Sequence, residues 1–249
     1  MNKIYNNPTV KQVIFQILFP NLFFIENKIP DIQLSILSEF PESALLVRYP
    51  ITTVMGNKPM SQQELENDAF GQKIWEFKNT NGFELHLTSN SLTILSKLHK
   101  TYNNEGSDYR FREIIQFVLE AFGKNINLPI VNRIGLRYSD ECPVSEITTD
   151  KYSDYFDTAY NLKKNPIEYV DEMRLYLIKN IADCKIIYQE QYVPQNNPEV
   201  VILDFDGFKQ NIAFKDCLDV TDRLHDLISD EYEKTIKDPL RRFMEGVSS

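Results

Sequence analysis

Hydrophobic and polar positions change period along this chain, and each change marks an element. "VKQVIFQILFP" at 10–20 alternates and is rich in β-branched and aromatic residues, which predicts a strand ended by Pro20. Ile29, Ile32, Ile36 and Leu37 then recur at helical spacing behind Pro30 and Asp31, so a helix should run to Pro41. "SALLVRYP" reads as a strand and the polar "GNKPMSQQELEND" at 56–68 as a loop. "KIWEFKN" and "GFELHLTSN" flank Thr80-Asn81-Gly82, a hairpin signal, and "SLTILSKLHKTY" continues as strand. "SDYRFREIIQFVLEAFGKN" places Phe111, Ile114, Ile115, Val118, Leu119 and Phe122 on one stripe, with Ser107 or Asp108 to cap the helix and Gly123 as a left-handed C-cap.

The pattern then restarts. "PIVNRIGLRYSDECPV" is a strand, and a short helix is predicted over Tyr152 to Leu162. "YVDEMRLYLIKN" and "CKIIYQEQYVP" are strands about a turn at Asn180 to Asp183, followed by the strand "EVVILDFDGFKQ". One last helix is predicted over Asp219 to Met244, with Asp219, Thr221 and Asp222 serving its N-terminus. The expected fold is therefore α+β, built from two related halves, 1–126 and 127–249. Each would be a mostly antiparallel curved sheet packed by a long helix. A single continuous domain without duplication is the alternative.

Four phrases in this order and at these separations have a counterpart: "VKQVIFQILFP", "NRIGLRY", "VILDFDGF" and the closing "PLRRFM". Together they resemble the sporadically distributed, uncharacterised family of prokaryotic proteins of about 250 residues. The resemblance spans nearly the whole chain. It departs at "NNPTVKQ", where one proline, Lys11 and Gln12 replace that family's paired prolines and acidic residue. The resemblance implies the fold class and brings no activity with it.

Composition narrows the possibilities. The 249 residues are 42% hydrophobic and 25% charged, which suits a globular chain able to bury a core without staples. A formal net charge of −9, with no basic run, opposes binding to a phosphate backbone. Cys142, Cys184 and Cys217 lie far apart and form no C-x-x-C, so free thiols and a cytoplasmic location are expected. No segment approaches the length of a membrane span, so no membrane partner is expected.

Candidate chemistry centres on "VVILDFDGFKQ". Asp204 and Asp206 resemble the nucleophile and acid of haloacid-dehalogenase-type phosphatases, but too little chain follows Asp206 to complete such a site. The upstream chain also lacks a βαβ rhythm. Strand alternation instead sets Asp204 and Asp206 on one face of their strand, and Arg133 and Arg137 on one face of theirs. We expect Arg133 or Arg137 to pair with Asp204 or Asp206 across a shared sheet surface, as a structural set or as a ligand- or partner-contacting one. His86, His99 and His225 have no metal-ligand spacing and read as solvated. The acids Asp140, Glu141, Glu168, Asp171 and Glu172 read as the background of an acidic protein, so neither metal nor cofactor is expected. Tyr138, Tyr176, Tyr188 and Tyr192 could line a groove or pack a core.

These readings favour a non-catalytic protein-binding or assembly module, partnered by another protein or by itself through sheet edges or an open face. The alternative is a small-ligand-binding protein or enzyme using a helix–sheet pocket walled by Arg133, Arg137, Asp204 and Asp206. A second alternative is nucleic-acid contact on a concave sheet face.

Overall fold

Alternation decides the sheet. In β1 (Val10–Leu18) Val13, Phe15 and Ile17 are fully buried while Gln12, Ile14 and Gln16 between them are only half-buried. The same rhythm recurs in β4 (Phe83–Leu87), β5 (Ser91–Ser96) and β8 (Cys184–Tyr192). The computed structural model describes residues 5–48, 71–99, 101–104, 107, 109–144, 147–192 and 199–246. The loop expected at 56–68 and Asp108, one of the two expected caps, lie outside the described residues; the other, Ser107, does not cap its helix, which begins after Arg110 with no side-chain cap.

With β2 (Glu42–Arg48), β3 (Gln72–Lys78), β6 (Ile130–Val144), β7 (Met173–Ile181) and β9 (Glu199–Ala213), the described strands form one nine-stranded sheet. Its order is β2-β3-β4-β5-β1-β6-β9-β8-β7, and every neighbouring pair is antiparallel. The α+β class thus holds, with a single large sheet. The described α-helices are α1 (Ile29–Ile36), α2 (Phe111–Asn125), α3 (Thr149–Tyr155), α4 (Cys217–Thr235) and α5 (Asp238–Glu245), beside short 3-10 turns at Ile25–Lys28, Ile167–Tyr169 and Phe214–Asp216.

The core lies on one side. Ile32 and Ile36 of α1, Ile115 and Phe122 of α2, Leu224 and Ile228 of α4 and Leu240 of α5 join one buried cluster with Phe15, Ile94, Leu136, Leu203 and Phe205. Those strand residues all share one face by register, since Phe15 faces Ile94 and Leu136, and Tyr138 faces Phe205. The opposite face carries Gln16, Thr93, His86, Glu76, Arg137 and Asp206.

Local chemistry explains the turns and corrects several expectations. In the β3–β4 hairpin the Asn79 side chain accepts from the Asn81 and Phe83 N–H groups at 3.0 Å each, and Gly82 takes φ +81°. Gly123 does not cap α2. The helix continues to Asn125 and ends on the extended Ile126. A Cβ on Gly123 would stand 2.9 Å from the Phe214 ring, so close approach explains this glycine. The helix expected over Tyr152–Leu162 is Thr149–Tyr155, and the Thr148 side chain caps it by accepting from the Lys151 N–H. The last helix is broken. Ile236 is extended and bridges to Phe156, Lys237 is extended as the N-cap of α5, and Pro239 lies in the first turn of that helix. Asp219, Thr221 and Asp222 do not cap α4. The Thr221 hydroxyl donates to the Cys217 carbonyl at 2.7 Å, and Asp222 binds Arg112.

Candidate functional site

Arg133, Arg137, Asp204 and Asp206 meet on the face opposite the described helices. Arg137 Nε and Nη2 donate to Asp204 at 2.7–3.0 Å, and Arg133 Nη2 donates to Asp206 at 2.8–2.9 Å. Both pairs are diagonal, because Arg137 stands directly opposite Asp206 and Arg133 opposite Gln210. Arg133 folds back over Gly135, where an added Cβ would lie 2.6 Å from its Nη1, and sits 4.5 Å from the Phe208 ring centroid. Burial lifts the Asp206 carboxyl above its usual range, against the pull of the Arg133 and Arg137 guanidinium groups. Each carboxylate is engaged by a guanidinium, so this set closes on itself.

Farther along that face His86 Nε2 lies 3.2 Å from Glu76 and 3.8 Å from Glu84. The donor atoms of these side chains fall within 4.8 Å of one another, a spacing that could gather round a divalent ion. Lys78 and Lys97 already hold the two carboxylates at 2.8 Å, and an ion would have to displace them.

The helix-side face has a different character. A cavity of about 130 Å³ opens between α4 and the sheet, lined among others by Thr9, His99, Tyr102, Tyr138, Asp140 and Glu233. Its wall on α4 is set by helical spacing, because His225, Ile228, Ser229, Tyr232 and Glu233 share one stripe. Tyr138 and Asp140 reach it from β6 and Phe205 from β9. Thr9 and Val10 come from the start of β1, and His99, Thr101 and Tyr102 from the segment after β5.

Asp140 is 5% exposed, and its side chain accepts one hydrogen bond among the described residues, from the Thr9 hydroxyl at 2.8 Å. With that proton committed, the Tyr232 hydroxyl donates to Thr9 Oγ1 at 2.8 Å. Burial, helped by the charge of Asp204 and opposed by Thr9, raises the Asp140 carboxyl to about 7. Tyr138 shares a hydrogen bond with His225 Nδ1 at 3.0 Å, and Tyr102 stacks on the His225 ring at 4.0 Å. Tyr102 is anchored in turn by donating to Asp222 at 2.7 Å, while Arg112 forks the same carboxylate. Burial pushes His225 down to about 3 and His99 down to about 4, so both rings are neutral near pH 7. Two polar atoms of residues that line the cavity, His99 Nδ1 and Glu233 Oε1, are buried with no hydrogen-bond partner among the described residues, while the other Glu233 oxygen accepts from Arg241 Nε at 3.2 Å.

Several expectations change here. The helix–sheet pocket is present, but Arg133, Arg137, Asp204 and Asp206 lie on the other side of the sheet and none lines it. His99 and His225 are cavity walls and His86 is half-buried between carboxylates, so none of the histidines is simply solvated. The tyrosine set does not form one groove: Tyr138 lines the cavity, Tyr188 and Tyr192 are buried, and Tyr176 is exposed. Asp140 was passed over as acidic background. The signal was available, since Ile134, Leu136 and Tyr138 define the inward positions of β6 and Asp140 is the next of them.

No protein-family model, no curated protein and no solved structure matches this chain.

Proposed function

We propose that this protein binds a small molecule in the cavity between α4 and the sheet. The observation that carries the reading is that three residues lining one cavity hold buried acceptors left short of partners among the described residues: His99 Nδ1, Glu233 Oε1 and the singly bonded Asp140. Buried polar groups without partners are costly, and a ligand supplies the missing partners. The cavity also sits on the seam between 1–126 and 127–249, because Thr9, His99 and Tyr102 face Tyr138, Asp140 and His225 across it. Ligand sites favour such seams. The test is ligand-observed NMR with ring-sized fragments against the native protein and Ser229→Phe, which fills the cavity from α4. Fragments that bind only the native protein support the reading; equal binding to both, or none to either, sinks it.

We infer that the two halves are copies of one unit. In support, β1 and β6 pair at the centre, and outward from them β5-β4-β3 mirrors β9-β8-β7. Helices α1 and α3 follow the central strands, and α2 and α4 close each half. The free, buried Cys142, Cys184 and Cys217 suit a reducing, cytoplasmic setting. Among the described residues no helix is long and apolar enough to cross a membrane.

The assembly reading has one observation of its own. The edge strand β2 is exposed along its length, including Leu45 at 55%, Leu46 at 42% and Val47 at 45%. A second copy pairing along this edge would cover it. Light scattering should then give a dimer that Leu45→Lys converts to monomer; a monomeric native protein removes this reading.

A further inference from the structure

We infer that the ligand of this cavity is a small primary or secondary ammonium carried on a skeleton about the size of one six-membered ring. The inference rests on the reading of the cavity as a ligand site and adds the chemical class. Charge comes first. The described lining contains the acids Asp140 and Glu233 and no lysine or arginine; Arg241 pairs with one Glu233 oxygen from outside the lining, and Asp140 has no cationic partner among the described residues, so an anionic ligand would meet an uncompensated carboxylate. The imidazoles of His99 and His225 contribute no positive charge near neutral pH. The remaining walls include the rings of Tyr102, Tyr138, Phe205 and Tyr232, whose electron-rich faces attract a cation.

Hydrogen bonding narrows the class further. Asp140 retains acceptor capacity beyond its Thr9 bond, Glu233 Oε1 has no donor, and a neutral His99 can accept at Nδ1. These acceptors call for N–H donors, which a quaternary ammonium lacks. Size sets the skeleton: an apolar cavity of roughly 150 Å³ admits benzene, and this one measures about 130 Å³.

A protonated amine beside Asp140 would also draw its carboxyl back to the ionised form, so binding should expel a proton below neutral pH. The titratable groups coupled to Asp140 are Tyr138 and Cys142 of β6, Asp204 of β9 and Tyr232 of α4. His99, His225 and Glu233 share the cavity, and none of these groups competes as a cation.

The experiment is calorimetric titration of the full chain at pH 6 with cyclohexylamine, cyclohexanol and trimethylcyclohexylammonium, in two buffers of different ionisation enthalpy. Cyclohexylamine should bind roughly tenfold or more tightly than either comparator and release a proton. It should lose binding in Ser229→Phe and weaken roughly tenfold in Asp140→Asn. Glu233→Gln provides the second carboxylate test should Asp140→Asn fail to fold. Equal or tighter binding of the alcohol or the quaternary amine, abolished by Ser229→Phe, overturns the ammonium class and leaves the ligand site standing. Amine binding indifferent to Ser229→Phe and to both carboxylate variants overturns the inference, as does no amine binding where other fragments bind. If every fragment fails, the ligand-site reading itself falls.

Discussion

Asp140 and Glu190 stand on either side of Leu203, one on β6 and one on β8, on the same face of the same sheet. Both are acids placed among tyrosines under helices, and their surroundings diverge. Glu190 is 0% exposed and accepts from the hydroxyls of Tyr152, Tyr188 and Thr158, so its carboxylate is surrounded by donors. Asp140 has the Thr9 hydroxyl and a cavity. A buried acid whose hydrogen bonds are complete rigidifies a core. One whose hydrogen bonds are left incomplete next to open space is a place for something else to bind.

The hardest blow to that comparison would come at Glu190. Glu190→Ala strands the three hydroxyls that now donate to it and should cost about 3–5 kcal/mol in urea unfolding. A loss below about 1 kcal/mol would mean that the network is not what holds this corner together. Next comes the ion-pair set on the other face. Arg137→Ala leaves Asp204, whose side chain is 8% exposed, without its fork and should cost about 1–3 kcal/mol. Ligand binding should change little, because the sheet lies between and Asp204 reaches Asp140 only through its charge, a smaller influence than burial; a loss as large as that of Asp140→Asn would show a stronger link between the faces.

Asp140→Asn should act in the opposite sense to Glu190→Ala and more gently. Asp140 titrates at about 7 in the folded protein, well above the usual carboxyl range. Between about pH 4 and 7 the folded chain therefore keeps a proton that the unfolded chain has lost, and stability from this group falls as pH rises through that window. Asn removes a linkage penalty of about 4 kcal/mol and gives up the stronger Thr9 bond to a carboxylate, so the variant should be more stable by roughly 1 kcal/mol or more at pH 8 and indistinguishable near pH 4. Destabilisation at pH 8 would place Asp140 with Glu190 as a structural acid. The smallest effect at pH 7 belongs to the histidines. His99 titrates at about 4 and His225 at about 3, so between there and about pH 6.5 the unfolded chain binds the extra protons and stability rises with pH. His225→Phe strands the Tyr138 hydroxyl and should cost about 1 kcal/mol at pH 7 while flattening that acid-side slope, read from thermal unfolding between pH 4.5 and 7.

Much of this was legible before any coordinates. Period-2 alternation marked 10–20 as a strand and set Arg133 and Arg137 on one face of theirs, because pleating leaves a strand residue only two directions. The Arg–Asp pairing was readable for the same reason, although its diagonal register was not, since register belongs to two strands at once. Reading one apolar stripe through Asp219–Met244 hid the break at Ile236–Lys237, where Pro239 opens a new helix. Gly123 looked like a cap because helix ends and ring contacts both select glycine, and only the Phe214 ring tells them apart.

The chain by itself determined its α+β class, its antiparallel strands and, along the middle of β6 and β9, which residues share a face. Those properties follow from local sterics and from the period at which apolar side chains recur. Only the tertiary structure decided that Thr9, His99, Asp140 and His225, far apart along the chain, share one cavity while Glu190 next door is sealed. Hydrogen-bond completeness and empty volume are properties of the assembled layers, and no segment carries them alone.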